Sequence, residues 1–108
     1  MSYQPPENVG ERLGADTQRA VFCAEVLKAL AHPLRLRIVS LLCVEPRHVT
    51  ALSDLLCEKQ AVISQQLRIL RMRGVVRVER SGGYANYHLA EPRLRQLVHC
   101  MEGCTIRF

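Results

Sequence analysis

No tryptophan occurs among the 108 residues, and aromatic side chains make up only 5% of them. A core built from this chain must therefore be aliphatic. Leucine, valine and alanine are its main material, a mixture that favours helices. No apolar run reaches 18 residues, so the sequence offers no membrane-spanning helix. Met1 to Gly14 is polar, carries Pro5, Pro6, Gly10 and Gly14, and lacks the apolar stretch of a signal peptide. Residues 1–15 are read as a flexible arm, and 16–108 as one domain of a cytoplasmic protein. There is no Cys-x-x-Cys pair, no Ser-His-Asp set and no evident pair of catalytic carboxylates, so an enzyme is not expected. The five cysteines are an odd number without a secretion signal, and are expected as free thiols.

What is present is concentrated positive charge. The net charge is +5. The window from Lys59 to Arg80 holds one lysine, five arginines and a single acid, Glu79, so it matches the excess of the whole chain. A basic stripe of this kind is the footprint of a polyanion-binding surface. The same window begins with an amphipathic helix. Ile63, Leu67 and Leu70 recur at i, i+4 and i+7 and share one face. The other side carries Gln60, Ser64, Gln65, Arg68 and Arg71. Glutamine and serine can bond base edges, and arginine pairs with guanine or phosphate. With the short helix before it, the run Leu52 to Leu70 reads as a helix-turn-helix whose second helix enters a DNA groove.

The remaining elements follow from caps and breakers. Asp16 caps a first helix, Thr17 to about Ala31, which His32-Pro33 ends. A second helix runs from Leu34 to about Val44 and stops at Glu45-Pro46. The third starts near Val49 or Thr50, with Thr50 as its cap, and reaches Leu56. The fourth spans about Gln60 to Met72, with Gly74 just past its end. Val75 to Glu79 and Tyr84 to Leu89 alternate as strands around a Ser81-Gly82-Gly83 turn. A last helix runs from about Glu91 to Gly103. The expected fold is mainly α with a β-hairpin wing, in the order α-α-α-α-β-β-α: a winged helix-turn-helix. The wing tip carries Arg80, placed for phosphates or a minor groove beside the major-groove site.

Four segments together resemble the ArsR/SmtB family of bacterial transcriptional repressors. They are Leu27 to Ile38, Ile63 to Arg71, Gly74-Val75-Val76, and Tyr84 to Leu89. The resemblance spans roughly Val21 to Cys104. It implies a homodimer joined through the first and last helices. It also implies binding to an inverted-repeat operator in double-stranded DNA, and release when an inducer binds or modifies the protein. In that setting Ser64 and Gln65 would read base edges, with Gln60 and Arg68 adding base or phosphate contacts. Lys59, Arg71, Arg77 and Arg80 would contribute charge, the three arginines mainly at phosphates. A winged helix serving only as a protein-interaction module is the competing reading, and the charge excess stands against it.

The family's metal sites do not transfer. Where one subset carries Cys-Val-Cys on the third helix, this chain has His48-Val49-Thr50. Where another binds metal on the last helix, the positions here are Glu91, Arg93, Cys104 and Arg107, and two cations argue against a site. Asn86, His88, His99 and Glu102 copy the residue spacing of that site but lie out of frame with it.

The thiols therefore carry the question of release. Cys23 is read as core filler near the apolar stripe of the first helix. Cys57 stands where many relatives have glycine. Cys43 points about 140° from the buried stripe of the second helix. Cys100 and Cys104 are an i, i+4 pair on the last helix. Cys43, Cys100 and Cys104 are the inducer-sensing candidates, since the resemblance includes members that sense persulfides or oxidants through one thiol on each of those two helices. Ser40 occupies the matching position here, so Cys43 is shifted by one turn. Two inducer chemistries fit: thiol oxidation or persulfidation, or a soft metal(loid) such as arsenite held by Cys100, Cys104 and a third thiol.

Overall fold

The computed structural model describes residues 4–105. Six helices and one hairpin follow in the order α1 (Glu11–Ala15), α2 (Thr17–Leu30), α3 (Pro33–Val44), α4 (Val49–Leu56), α5 (Gln60–Met72), β1 (Val76–Ser81), β2 (Tyr84–Leu89) and α6 (Leu94–Glu102). The winged helix-turn-helix is thus as expected, with one helix more. That addition is α1, a single turn inside the segment read as an unstructured arm. It follows Gly10, which adopts a positive φ of 99°, and it buries none of its residues.

The helix boundaries have local causes. The Asp16 carboxylate accepts the Arg19 amide at 2.9 Å and starts α2. Pro33 occupies the first turn of α3, where that helix itself needs no N–H. The start of α4 differs from the sequence reading. Its cap is His48, not Thr50: the His48 Nδ1 accepts the Ala51 amide at 3.1 Å. Histidine is an uncommon cap, which is why pattern alone favoured the threonine. His32 does the same for α3, accepting the Leu34 amide at 3.2 Å. Gly74 ends α5 in the left-handed conformation, at φ 74°, as its position implied.

One aliphatic core joins these elements. Leu30, Ile38, Val39, Leu42, Leu52, Leu56, Ile63, Leu67, Leu70, Val75, Val76, Leu89 and Val98 are all buried, and no aromatic ring is among them. Ile63, Leu67 and Leu70 are the buried residues of α5, so the apolar face read from the spacing is the inner face. The hairpin is antiparallel, with Ser81 paired to Tyr84 around Gly82 and Gly83, at φ 57° and 83°. Two consecutive positive φ values match the twist of a tight hairpin, and only glycine adopts both without strain. A feature unseen in the sequence braces the wing. Arg47, between α3 and α4, exchanges two backbone hydrogen bonds with Tyr87 of β2, at 3.2 and 2.8 Å.

The turn between α4 and α5 contains a strained residue. Cys57 sits at φ 53° and ψ 44°, the one non-glycine with positive φ among the described residues. A Cβ in this region costs about 1–2 kcal/mol. Cys57→Gly is therefore expected to stabilise the fold by about 1 kcal/mol, since glycine relieves the strain and gives back part of it in unfolded-state entropy. A denaturant midpoint that falls instead of rising contradicts this.

Candidate nucleic-acid interface

A groove-reading helix needs one face fixed by packing and the other free. On α5 this division is clean. Gln60, Ser64, Gln65, Arg68 and Arg71 are exposed, while Ile63, Leu67 and Leu70 anchor the helix from behind. Lys59, just before the first turn, is also exposed. These residues form one polar, cationic surface without an acidic side chain along the length of α5.

The wing adds Arg77 and Arg80, both exposed. They are not equivalent. The Arg77 guanidinium lies 3.3 Å from the Glu79 carboxylate, and the same carboxylate oxygen is 3.1 Å from His88 Nε2. Glu79, the single acid of the basic window, thus offsets part of the charge of Arg77. Arg80 pairs with Ala85 in the ladder, one step below the Ser81-Tyr84 pair that closes the hairpin. It is the wing cation nearest the tip, and the ion pairs among the described residues do not include it.

Gln66 escaped the sequence reading. It lies on α5 between the wet and buried faces and is half-buried. Its Oε1 accepts a hydrogen bond from Arg35 Nη1 of α3 at 3.1 Å, so its side chain is held toward the protein interior. Only a three-dimensional partner could reveal this. The sequence shows another glutamine beside Gln65.

The cysteines separate by environment. Cys23 is half-buried, not core: it lines a cleft of about 360 Å³ between α2 and α6, with Phe22, Val26, Leu94 and Leu97. Cys43 packs against the core and faces α6, where Arg95 Nε donates to the Cys43 carbonyl oxygen at 2.9 Å. Burial pushes the Cys43 thiol pKa up; nearby Arg95 opposes this and Glu102 adds to it. Cys57, Cys100 and Cys104 are exposed.

Cys100 and Cys104 do not stack on one helix as their spacing suggested. The helix α6 ends at Glu102 and Gly103 caps it, so Cys104 lies beyond the last turn, its amide bonded to the Met101 carbonyl oxygen at 3.2 Å. The start also differs: Glu91 to Arg93 form a turn in which the Glu91 carboxylate accepts the Arg93 amide at 2.9 Å, and α6 begins only at Leu94. Arg107 lies outside the described residues. Among the described residues no three His, Cys, Asp or Glu side chains gather as a metal site, so the third thiol a soft-metal(loid) site needs is not beside Cys100 and Cys104 within one chain. His88 sits on β2, facing Glu79 of β1, and His99 sits on α6, which places the Asn86-His88-His99-Glu102 set on two different elements.

Known proteins resemble this arrangement. The sequence profile described as "Bacterial regulatory protein, arsR family" matches residues 32–78, from the start of α3 through the first half of β1. The HTH-type transcriptional repressor SmtB of Mycobacterium tuberculosis is 45% identical over 74 residues, 68% of this chain. The chain spans only 55% of that relative's length. A biofilm growth-associated repressor of Agrobacterium fabrum is 35% identical over 99 residues, covering 91% of this chain and 85% of the relative. The homodimeric winged helix-turn-helix DNA-binding domain of a possible ArsR-family regulator from Mycobacterium bovis superposes with a TM-score of 0.71 at 28% identity, over 82% of this chain and 85% of that one.

Proposed function

The chain belongs to the arsR family of bacterial regulatory proteins, and from that premise we propose that it is a homodimeric repressor that binds an inverted-repeat DNA operator and is released by chemistry at cysteine thiols. The observation that carries the DNA-binding reading is the two-faced α5. Ile63, Leu67 and Leu70 are buried while Gln60, Ser64, Gln65, Arg68 and Arg71 face solvent, ready for base edges and phosphates. Arg77 and Arg80 on the wing extend the cationic surface beyond α5.

Support for the homodimer comes from apolar side chains left exposed on the two helices that flank the core. Phe22 and Leu27 on α2 and Met101 on α6 are at least half exposed in the single chain. Leu27, Leu36, Leu97 and Met101 line a groove between these helices whose walls carry no charged side chain. A second copy would cover it, and the M. bovis domain is described as homodimeric. Two symmetric protomers match two operator half-sites.

Release is assigned to exposed Cys100 on α6 and Cys104 just beyond it, acting with Cys43 on α3. Burial raises the Cys43 thiol pKa and so disfavours its thiolate, which suits it to the role of the second thiol to react. A peroxide would convert exposed Cys100 or Cys104 to a sulfenic acid, being itself reduced to water. The Cys43 thiol would then displace water to close a disulfide from α3 to Cys100 or Cys104. The test is binding to the gene's own promoter, reduced and then treated with peroxide or polysulfide, read by fluorescence anisotropy and by mass spectrometry of the cysteine peptides. Loss of binding that is reversed by a reductant and abolished in Cys100→Ser/Cys104→Ser supports the reading. Unchanged binding after complete modification of both thiols overturns it.

A further inference from the structure

We propose that Arg35 is a positioning residue for the recognition helix: one guanidinium on α3 joins the end of α2 to Gln66 of α5 and so sets the angle at which the base-reading face is presented. The inference rests on the DNA-binding reading of α5 and adds to it the device that aims the helix.

The reason for the link lies in the sequence. A carbonyl in an α-helix accepts a hydrogen bond from the amide four residues on. For Ala29 that residue is Pro33, which has no N–H. The Ala29 carbonyl is therefore left without its helical donor, and Ala29 is a buried residue. An unpartnered carbonyl in that position is costly. Arg35 supplies the donor: its Nε lies 2.6 Å from the Ala29 oxygen. The same planar group then extends Nη1 to Gln66 Oε1 at 3.1 Å. One rigid fork thus satisfies the end of α2 and holds α5. A second, more exposed tie runs beside it. Arg73, at the end of α5, reaches Glu25 on α2 at 3.0 Å, one helical turn before Ala29. Exposed pairs contribute little by themselves, so the half-buried Arg35 carries the orientation.

The consequence is geometric. If α2 lies at the subunit seam, the spacing and tilt of the two recognition helices across the dimer depend on how α5 is tied to α2. Half-site readout tolerates little change in either. The phosphate contacts made by flexible arginines tolerate more.

Three variants test this on the full-length chain, with its own promoter and a random duplex as probes. Gln66→Leu removes the acceptor and leaves the Arg35–Ala29 bond. It is expected to weaken promoter binding at least tenfold, while binding to random DNA and the salt dependence stay within twofold of the parent. Arg35→Lys, whose single ammonium lacks the fixed fork that spans both acceptors, should show the same selective loss, and combining the two should lose no more than either alone. Gln66→Glu keeps an acceptor for the guanidinium and should retain parental binding. A Gln66 that touched DNA directly would instead lose affinity strongly as a glutamate. Promoter binding within twofold of the parent for a folded Gln66→Leu overturns the inference, as does strong loss in Gln66→Glu. If the parent chain does not prefer its promoter to random DNA, the DNA-binding reading itself fails and the inference falls with it; the two failures are thus told apart by the parent alone.

Discussion

Leu67→Ala is expected to destabilise the fold by about 2–5 kcal/mol, the range for truncating a leucine in a close-packed core. Leu67 is fully buried at the middle of α5, between Ile63 and Leu70, which are equally inaccessible. The core around it is aliphatic, built from residues of every helix except α1 together with both strands. No aromatic ring is among its buried residues; Tyr87 only packs against its edge. Because a domain of this size is stable by only about 5–15 kcal/mol, the loss removes a large share of the total. The measurement is a urea midpoint at fixed protomer concentration, since a dimer's stability depends on concentration. Leu55→Ala is the matched control. Leu55 is 52% exposed on α4, and its truncation should stay within about 0.5 kcal/mol of the parent. Equal losses for the two variants contradict the assignment of the buried face.

Ser64→Ala and Gln65→Ala probe the opposite face of the same helix. Neither side chain is buried, so neither change should move the unfolding midpoint. Each removes a neutral hydrogen-bonding group from the face proposed to meet base edges. A lost base contact costs about 1–3 kcal/mol of discrimination, which is about a 5- to 150-fold loss of promoter affinity at constant affinity for random DNA. Arg71→Ala is expected to behave otherwise, weakening binding to both duplexes alike and making the salt dependence shallower. Competition anisotropy with promoter and random duplexes separates the two patterns. An equal effect of Gln65→Ala on both duplexes would assign that residue to the backbone instead.

The parts legible in the sequence were those fixed by local spacing and punctuation. Ile63, Leu67 and Leu70 defined the inner face of α5, Asp16 and Pro33 marked helix starts, and Gly82-Gly83 marked the hairpin. What was not legible depended on partners distant in the chain or on rare chemistry at a familiar position. His48 caps α4 through its ring nitrogen, where threonine is the commoner cap. Arg47 pairs with Tyr87 through the backbone, which no side-chain pattern records. The tie from Arg35 to Gln66 joins two helices across 31 positions. The cysteines were the hardest to read because a thiol carries little positional signal. The i, i+4 spacing of Cys100 and Cys104 placed both on α6, yet the glycine between them ends the helix after Glu102. Cys23 was read as core filler near the apolar stripe of α2, but it is only half-buried.

The central claim is that the exposed cationic face of α5 and the wing bind a DNA operator. Its most direct test is the affinity of the reduced protein for its own promoter as a function of salt, beside a random duplex of equal length. Lys59, Arg68, Arg71, Arg77 and Arg80 provide five exposed cations per protomer. Two protomers engaging half or more of them predict a log–log slope between about −5 and −9, with the promoter bound at least a thousandfold more tightly than random DNA. A slope shallower than about −2, or equal affinity for the two duplexes, contradicts the claim.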